Sequence, residues 1–454
     1  MTEAQKKPRE RLKDMTEGSP TKLLISFALP LMAGSVFQQM YTLTDTAIIG
    51  SFAGLDALAS LGAADWFNYL VLSILIGFTQ GFSILMSQRF GARDEDGLKK
   101  AFSMSILLSA FIAAITLILS EALAAPVLRL LKTPDNIIGG SIAYIRIFFM
   151  GIPFVACYNL LAGALRAIGD SKSPLYAMLV SSATNVALDL LFVLGFGWGI
   201  KGAAAATVIS QALSAAYCAA TVIKSKLLKP TRVYFKVDKP LCGMLLRLGL
   251  PVAAQNAVIA VGGMAVQRVV NDFGFIFLAG YTATNKLYGL LELAAVSFGH
   301  ALSVYTGQNI GAGRKDRIRA GLKSATVISI TTSAVIGGLM LLLGKPILSL
   351  FISAPKEQYD LAMTYAYDFL AIMSVSLPIL YMLYVYRSAL QGMGDTLAPM
   401  LSGIVELVMR VAVAIVLSKI IGYYGTFFAE IAAWIGAMVL QGIALKKRNK
   451  ALGI

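Results

Sequence analysis

The chain has little charge, less acid than base, and almost no histidine or cysteine. Of 454 residues only 14% are charged while 57% are hydrophobic, and the mean hydropathy is +0.74. A soluble protein of this length needs far more polar surface to offer water, so a soluble globular fold is excluded. The three cysteines, Cys157, Cys218 and Cys242, are scattered and odd in number, which suggests neither a disulfide framework nor a metal site. No zinc or serine-hydrolase motif appears, and no enzyme activity is expected. Acids number 24 against 39 Lys and Arg, a net charge of +15. That excess reads as a topology signal rather than a nucleic-acid surface. No cleavable signal peptide is expected, because the first apolar run is too long for one.

What the chain does have is long apolar runs. A membrane span needs about 20 such residues. Twelve runs qualify, near 22–49, 57–86, 101–124, 138–163, 174–196, 202–223, 246–271, 279–307, 321–344, 360–387, 399–419 and 424–445. Pro30, Pro153, Pro251 and Pro378 lie inside runs, where neighbouring helices can satisfy the freed backbone groups. Loops on one side, with both termini, hold 29 of the 39 basic residues, including Lys6, Lys7, Arg9, Arg11, Arg387 and the tail from Lys446 to Lys450. The opposite loops hold six, Lys132 and Lys356 among them. Both termini are therefore expected in the cytoplasm of a multi-pass cell-membrane protein.

The halves repeat at an offset of 220 to 225 residues. "SQRFGARDED" at 87–96 matches "GQNIGAGRKD" at 307–316; "GIPF" at 151–154 matches "SLPI" at 376–379; "GALRAIGDSKSP" at 163–174 matches "SALQGMGDTLAP" at 388–399. The expected fold is all-α: twelve transmembrane helices in two six-helix bundles, related by a pseudo-twofold axis along the membrane normal. The expected division is a cytoplasmic tail over 1–21, a first bundle over 22–223, a linker over 224–245, a second bundle over 246–445 and a tail over 446–454. Two bundles with a cavity between them suit alternating access.

Ionisable side chains inside a bilayer cost about 2.5–3.5 kcal/mol each on insertion scales, so each is a functional candidate. Asp45 and Asp189 each lie about seven residues short of the outer end of their spans, roughly 10 Å deep. Thr207 enters the sixth span to a similar depth, and Asn185 shares a face with Asp189 four residues on. Gln38 and Tyr41 fall on the Asp45 face. These side chains could form one site for a proton or a cation such as Na+, since two carboxylates at one depth repel unless something positive sits between them. The alternative is that Asn185 and Asp189 merely bond neighbouring helices. Repeat alignment sets Asn185 against Arg410, Asp189 against Ala414 and Thr207 against Glu430, so the second half lacks the acid pair. Glu406 and Arg410, four apart with the acid first, read as a structural ion pair. Lys286 and Glu292 are six apart and need partners on other spans; they and Asp65 are held as candidates for a substrate cavity or the surroundings of the cation site. His300 reads as a satisfied polar contact rather than a proton relay.

The motifs "ALPLMAGSVFQQMYTLTDTAIIG", "GQNIGAG", "ALRAIGDSKSP" and "ALQGMGDTLAP", in this order, resemble the multidrug and toxic compound extrusion (MATE) transporters over nearly the whole chain. The resemblance implies a cation-coupled antiporter exporting organic, often cationic, compounds. In the DinF-like branch the first-bundle cation site matches Asp45, Asn185, Asp189 and Thr207 here, with nearby polar positions at Gln38 and Tyr41. In the NorM-like branch, acids on the seventh and tenth spans line the second bundle. The seventh span here offers Gln255 and Asn256, and the tenth has Asp368 only near its outer start. The expected partners are a small organic substrate and membrane lipid, with no nucleic acid, and the expected state is a monomer. No cofactor is expected beyond the coupling ion, H+ or Na+.

Two other functions compete. A flippase for a lipid-linked oligosaccharide or related amphiphile would want arginines facing phosphate, and Arg146, Arg268 and Arg410 leave that open. An intramembrane aspartyl protease would need "YD" at Tyr367–Asp368 and "GMGD" at 392–395 to share a water. They lie about 27 residues apart, roughly 40 Å if helical.

Overall fold

The computed structural model describes residues 12–131, 133–352 and 356–454, with the side chains of Leu55, Lys356 and Glu357 left aside. Lys6, Lys7, Arg9, Arg11 and Lys132, counted in the charge bias, lie outside the described residues. Among the described residues thirteen α-helices run in chain order: α1 (Pro20–Ile48), α2 (Leu55–Gly91), α3 (Glu95–Leu130), α4 (Asp135–Phe149), α5 (Ile152–Ala167), α6 (Lys172–Asp189), α7 (Gly199–Lys224), α8 (Lys239–Asn271), α9 (Phe275–Gly311), α10 (Lys315–Leu348), α11 (Lys356–Gly392), α12 (Leu397–Ile421) and α13 (Tyr424–Leu452). Among the described residues, eleven helical stretches are long and apolar enough to cross a membrane, and α4 with α5 makes a bent pair that passes as a twelfth. The fourth apolar run is thus a broken span, bent by 44°. Gly151 lies at the break and Pro153 in the first turn of α5. Glycine is a poor helix former and proline removes an amide donor, so together they end one helix and start the next. In the second half the matching Pro378 sits inside the continuous α11, with no glycine beside it.

The helices fall into two compact units. The first comprises residues 12–15 together with Leu29–Ala254; the second comprises Thr16–Ala28 and the described residues of Gln255–Ile454. In the first unit α2 packs on α3, α4 and α5, and α7 packs on α5 and α6. One apolar core gathers Phe82, Phe102 and Leu165; another gathers Phe67, Tyr144 and Phe149. The start of α8 joins this unit through glycine. A Cβ on Gly81 would lie 2.3 Å from the Cα of Gly249, and one on Gly77 would lie 2.4 Å from the Cα of Ala253. Small residues four apart let the two backbones touch, the usual basis of helix association where water gives no hydrophobic drive. In the second unit α11 packs against α9, α10 and α13. Stacked rings fill it, with Tyr281–Phe369 at 4.8 Å and Phe369–Phe427 at 4.6 Å between centroids.

Two helices of the first unit end unusually. α1 passes directly into a π-helical turn at Ile49–Ala53, and α6 into another at Leu190–Gly195. Such turns are rare and recur at functional sites. These two touch each other. They follow Asp45 by four residues and Asp189 by one.

Candidate cation site in the first unit

Helices α1, α6 and α7 bring the expected residues together. Asp45, Asn185, Asp189 and Thr207 are 8%, 1%, 0% and 8% exposed. The Asn185 Nδ2 amide donates to Thr207 Oγ1 at 3.4 Å. The Asp45 and Asp189 carboxyls adjoin, near enough for one proton to bridge them. Asp45 Oδ1, Asn185 Oδ1 and both carboxylate oxygens of Asp189 are buried and accept no hydrogen bond among the described residues. Buried acceptors left without a donor are costly, and buried carboxylates more so. The donor set of two carboxylates, an amide oxygen and a hydroxyl suits a hard cation or a shared proton. Among the described residues no three His, Cys, Asp or Glu side chains converge on a metal-sized space.

The lower-ranked candidates sort differently. Tyr41 is half-buried and lies near Gln38, Thr42 and both acids. Gln38 and Asp65 are exposed rather than enclosed, and Asp65 lies within electrostatic reach of Asp45. The sequence reading missed Tyr144 on α4, buried and close to Asp45, Asp65, Tyr41 and Asp189. It also missed Ser182 and Ser210, whose buried hydroxyls have no partner among the described residues. Their signal was available: Ser182 is three residues before Asn185, and Ser210 three after Thr207, so each extends a polar stripe already marked.

In the second unit the charges at the matching depth pair with one another. Glu406 Oε1 meets Arg410 Nη2 at 3.1 Å, Glu406 Oε2 meets Arg387 Nη2 at 3.1 Å, and Arg410 Nη2 also meets Glu430 Oε2 at 3.0 Å. The Glu406–Arg410 pair is therefore part of a four-residue network. Arg387, assigned to a loop from sequence, is buried inside α11 and belongs to it. The Tyr384 hydroxyl donates to Glu292 Oε1 at 2.6 Å. Lys286 is exposed and does not join Glu292. Gln391 Nε2 donates to Gln255 Oε1 at 3.3 Å. His300 is half-buried and engaged with a neighbour.

The competing functions lose their residues. Asp368 accepts from the Tyr424 hydroxyl at 2.8 Å, and Asp395 caps α12 by accepting from the Ala398 amide at 3.1 Å. Neither is a catalytic partner of the other. Two of the three arginines that a flippase would turn toward phosphate face acids instead: Arg410 as above, and Arg146 with Glu121 at 3.7 Å.

A family model for MatE matches residues 30–191 and 251–416, one block in each half. The chain belongs to the MATE family. MATE proteins are transporters, not enzymes, and this one is a multi-pass membrane transporter. It is 33% identical over 345 residues to "Probable multidrug resistance protein YoeA" of Bacillus subtilis (strain 168), covering 73% of this chain and 74% of the relative. It is 32% identical over 368 residues to "Probable multidrug resistance protein YpnP" of the same strain, covering 79% and 82%. In fold it is similar to a crystal structure of MATE in complex with MaL6, with a TM-score of 0.91 at 21% identity, covering 97% of this chain and 98% of the other. These likenesses favour a MATE exporter over the flippase.

Proposed function

We propose that this MATE transporter is an antiporter that exports organic, cationic, drug-like compounds from the cell in exchange for H+ or Na+. The observation that carries the proposal is the set of four buried, donorless oxygens on Asp45, Asn185 and Asp189. Two adjoining carboxylates out of water demand a proton or a cation, and either can be released when the helices around them rearrange. Asp65, Gln38 and Tyr41, on the more open side of the pair, are where a cationic substrate would compete. Binding one ligand then disfavours the other, and each shifts the conformational equilibrium through its differential affinity. The names of the Bacillus relatives support a drug-like substrate class. The charge bias supports cytoplasmic termini in the cell membrane.

The test is export of a fluorescent organic cation from proteoliposomes, with sodium and pH gradients imposed separately. Export driven by one gradient and lost in Asp189→Asn supports the reading and names the ion. Export indifferent to both gradients, or undiminished in that variant, rejects it.

A further inference from the structure

The basic ends of the two units are chemically unequal. In the first unit two cations near the start of α3 are matched: Arg89 with Asp94 at 2.8 Å, and Lys100 with Asp96 at 2.9 Å. The linker covers this end, with the Tyr234 hydroxyl donating to Asp96 Oδ1 at 2.8 Å. In the second unit, Asp316 aligns with Asp96 and pairs only with Arg314, at 3.4 Å. Nearby, a cavity of about 510 Å³ opens between α10, α11 and α13. Its wall carries the basic side chains Arg319, Lys446 and Lys450, with Tyr386, Asn449, Gly442, Leu445 and Ile454, and no acidic side chain. The three cations and the Tyr386 hydroxyl make no hydrogen bond or ion pair with any described residue.

Charge of one sign converging on one space repels itself until an anion enters. Depth points to the source of the anion. Arg319 stands two residues before the apolar run of α10, and Lys446 directly follows that of α13. The cavity therefore sits at headgroup level on the side that the charge bias assigns to the cytoplasm. Basic pockets between spanning helices at that level take anionic headgroups. Ile443 and Val439, 55% and 51% exposed, continue down the same helix as an apolar surface for acyl chains. We propose that this cavity binds the phosphate of an anionic phospholipid.

Full-length protein, stripped of lipid, would be titrated with phosphatidylglycerol or phosphatidylcholine and bound lipid counted by native mass spectrometry. The cavity variant Arg319→Gln/Lys446→Gln/Lys450→Gln would be set beside Lys224→Gln/Lys226→Gln/Lys229→Gln, which removes equal charge from the other unit. Each cation near a headgroup contributes about fivefold, so the cavity variant should bind phosphatidylglycerol about a hundredfold more weakly. The control variant and phosphatidylcholine binding should be unchanged. Equal losses in both triple variants would reduce the effect to bulk charge and overturn the proposal, as would a wild type that prefers neither lipid. Inorganic phosphate that binds alone and displaces the lipid one for one would assign the site to a soluble anion instead. If the triple variant elutes as aggregate, Arg319→Gln alone decides: a loss of about fivefold supports the site, and none rejects it.

Discussion

At matching positions of the repeat, the two units make the same helix contact with opposite chemistry. Asn185 meets Thr207 at 3.4 Å in the first unit, and their counterparts Arg410 and Glu430 meet at 3.0 Å in the second. One residue turn further along, Asp189 stands where the second unit has Ala414, and both are fully buried. The second unit closes its charges into a network of Arg387, Glu406, Arg410 and Glu430. The first leaves four oxygens without donors. A shared fold therefore does not carry the chemistry with it. Where charge is matched, it fastens helices; where it is left open, it waits for something mobile.

The largest expected effect tests that division directly. Asp189→Asn and Asp45→Asn should each reduce coupled export in proteoliposomes to background while eluting as folded monodisperse protein. Both should melt no lower than wild type, since each removes an unmatched buried charge. Normal export by both would end the functional reading of the first unit.

Next in size is the converse in the second unit. Glu406→Ala strips Arg387 and Arg410 of a shared partner. Breaking a buried ion pair costs about 3–5 kcal/mol. Thermal unfolding in detergent should drop sharply, and whatever protein survives should keep its ion coupling. A variant that melts like wild type but loses coupling would move the second network from structure to transport.

Much of this contrast was legible in the sequence. The twelve spans followed from run length, because a bilayer demands about 20 apolar residues whatever the fold. The acid pair stood out because charge inside such runs is costly. Helical spacing then tied Asn185 to Asp189. What stayed hidden depended on partners far away in the chain. Arg387 looked like a loop cation because its acid, Glu406, lies on another helix. Tyr144 carries no pattern of its own in "AYIRIFF", and only the packing of α4 sets it near the acids. The π-helical turns after Asp45 and Asp189 left no mark in composition.

A finer comparison uses pH. Acid protonates the Asp45–Asp189 pair and lowers its negative charge, so affinity for an organic cation should fall as pH drops. The fall can reach about tenfold per pH unit where one proton exchanges for one ligand. In Asp189→Asn the slope should flatten, while in Lys323→Gln, an exposed position on α10, it should remain. Equilibrium binding of the fluorescent cation across the physiological range would show it. Parallel profiles in wild type and Asp189→Asn would remove that residue from the exchange.

The smallest effect concerns the linker, the one place where the first unit closes a basic end that the second leaves open. Tyr234 holds the turn Arg232–Phe235 against α3 through its bond to Asp96. That bond to a carboxylate raises the Tyr234 pKa above its ordinary value. A raised pKa means that the stabilisation is fully present below the unfolded tyrosine value, near pH 10, and is lost only as pH climbs through the folded one. The acceptor works in the opposite sense: Lys100 and then Tyr234 hold the Asp96 pKa below its ordinary value, so its share is present above the unfolded carboxylate value and lost as pH falls through the folded one. Docking should therefore be flat across neutral pH and loosen in strong alkali or strong acid. The contact is exposed, so Tyr234→Phe should leave melting and export within error of wild type. What should change is access: a protease cutting after basic residues should cleave near Arg232 faster in Tyr234→Phe than in wild type at pH 7. Equal cleavage rates would show that the apolar contacts of the turn, rather than the tyrosine hydroxyl, hold the linker in place.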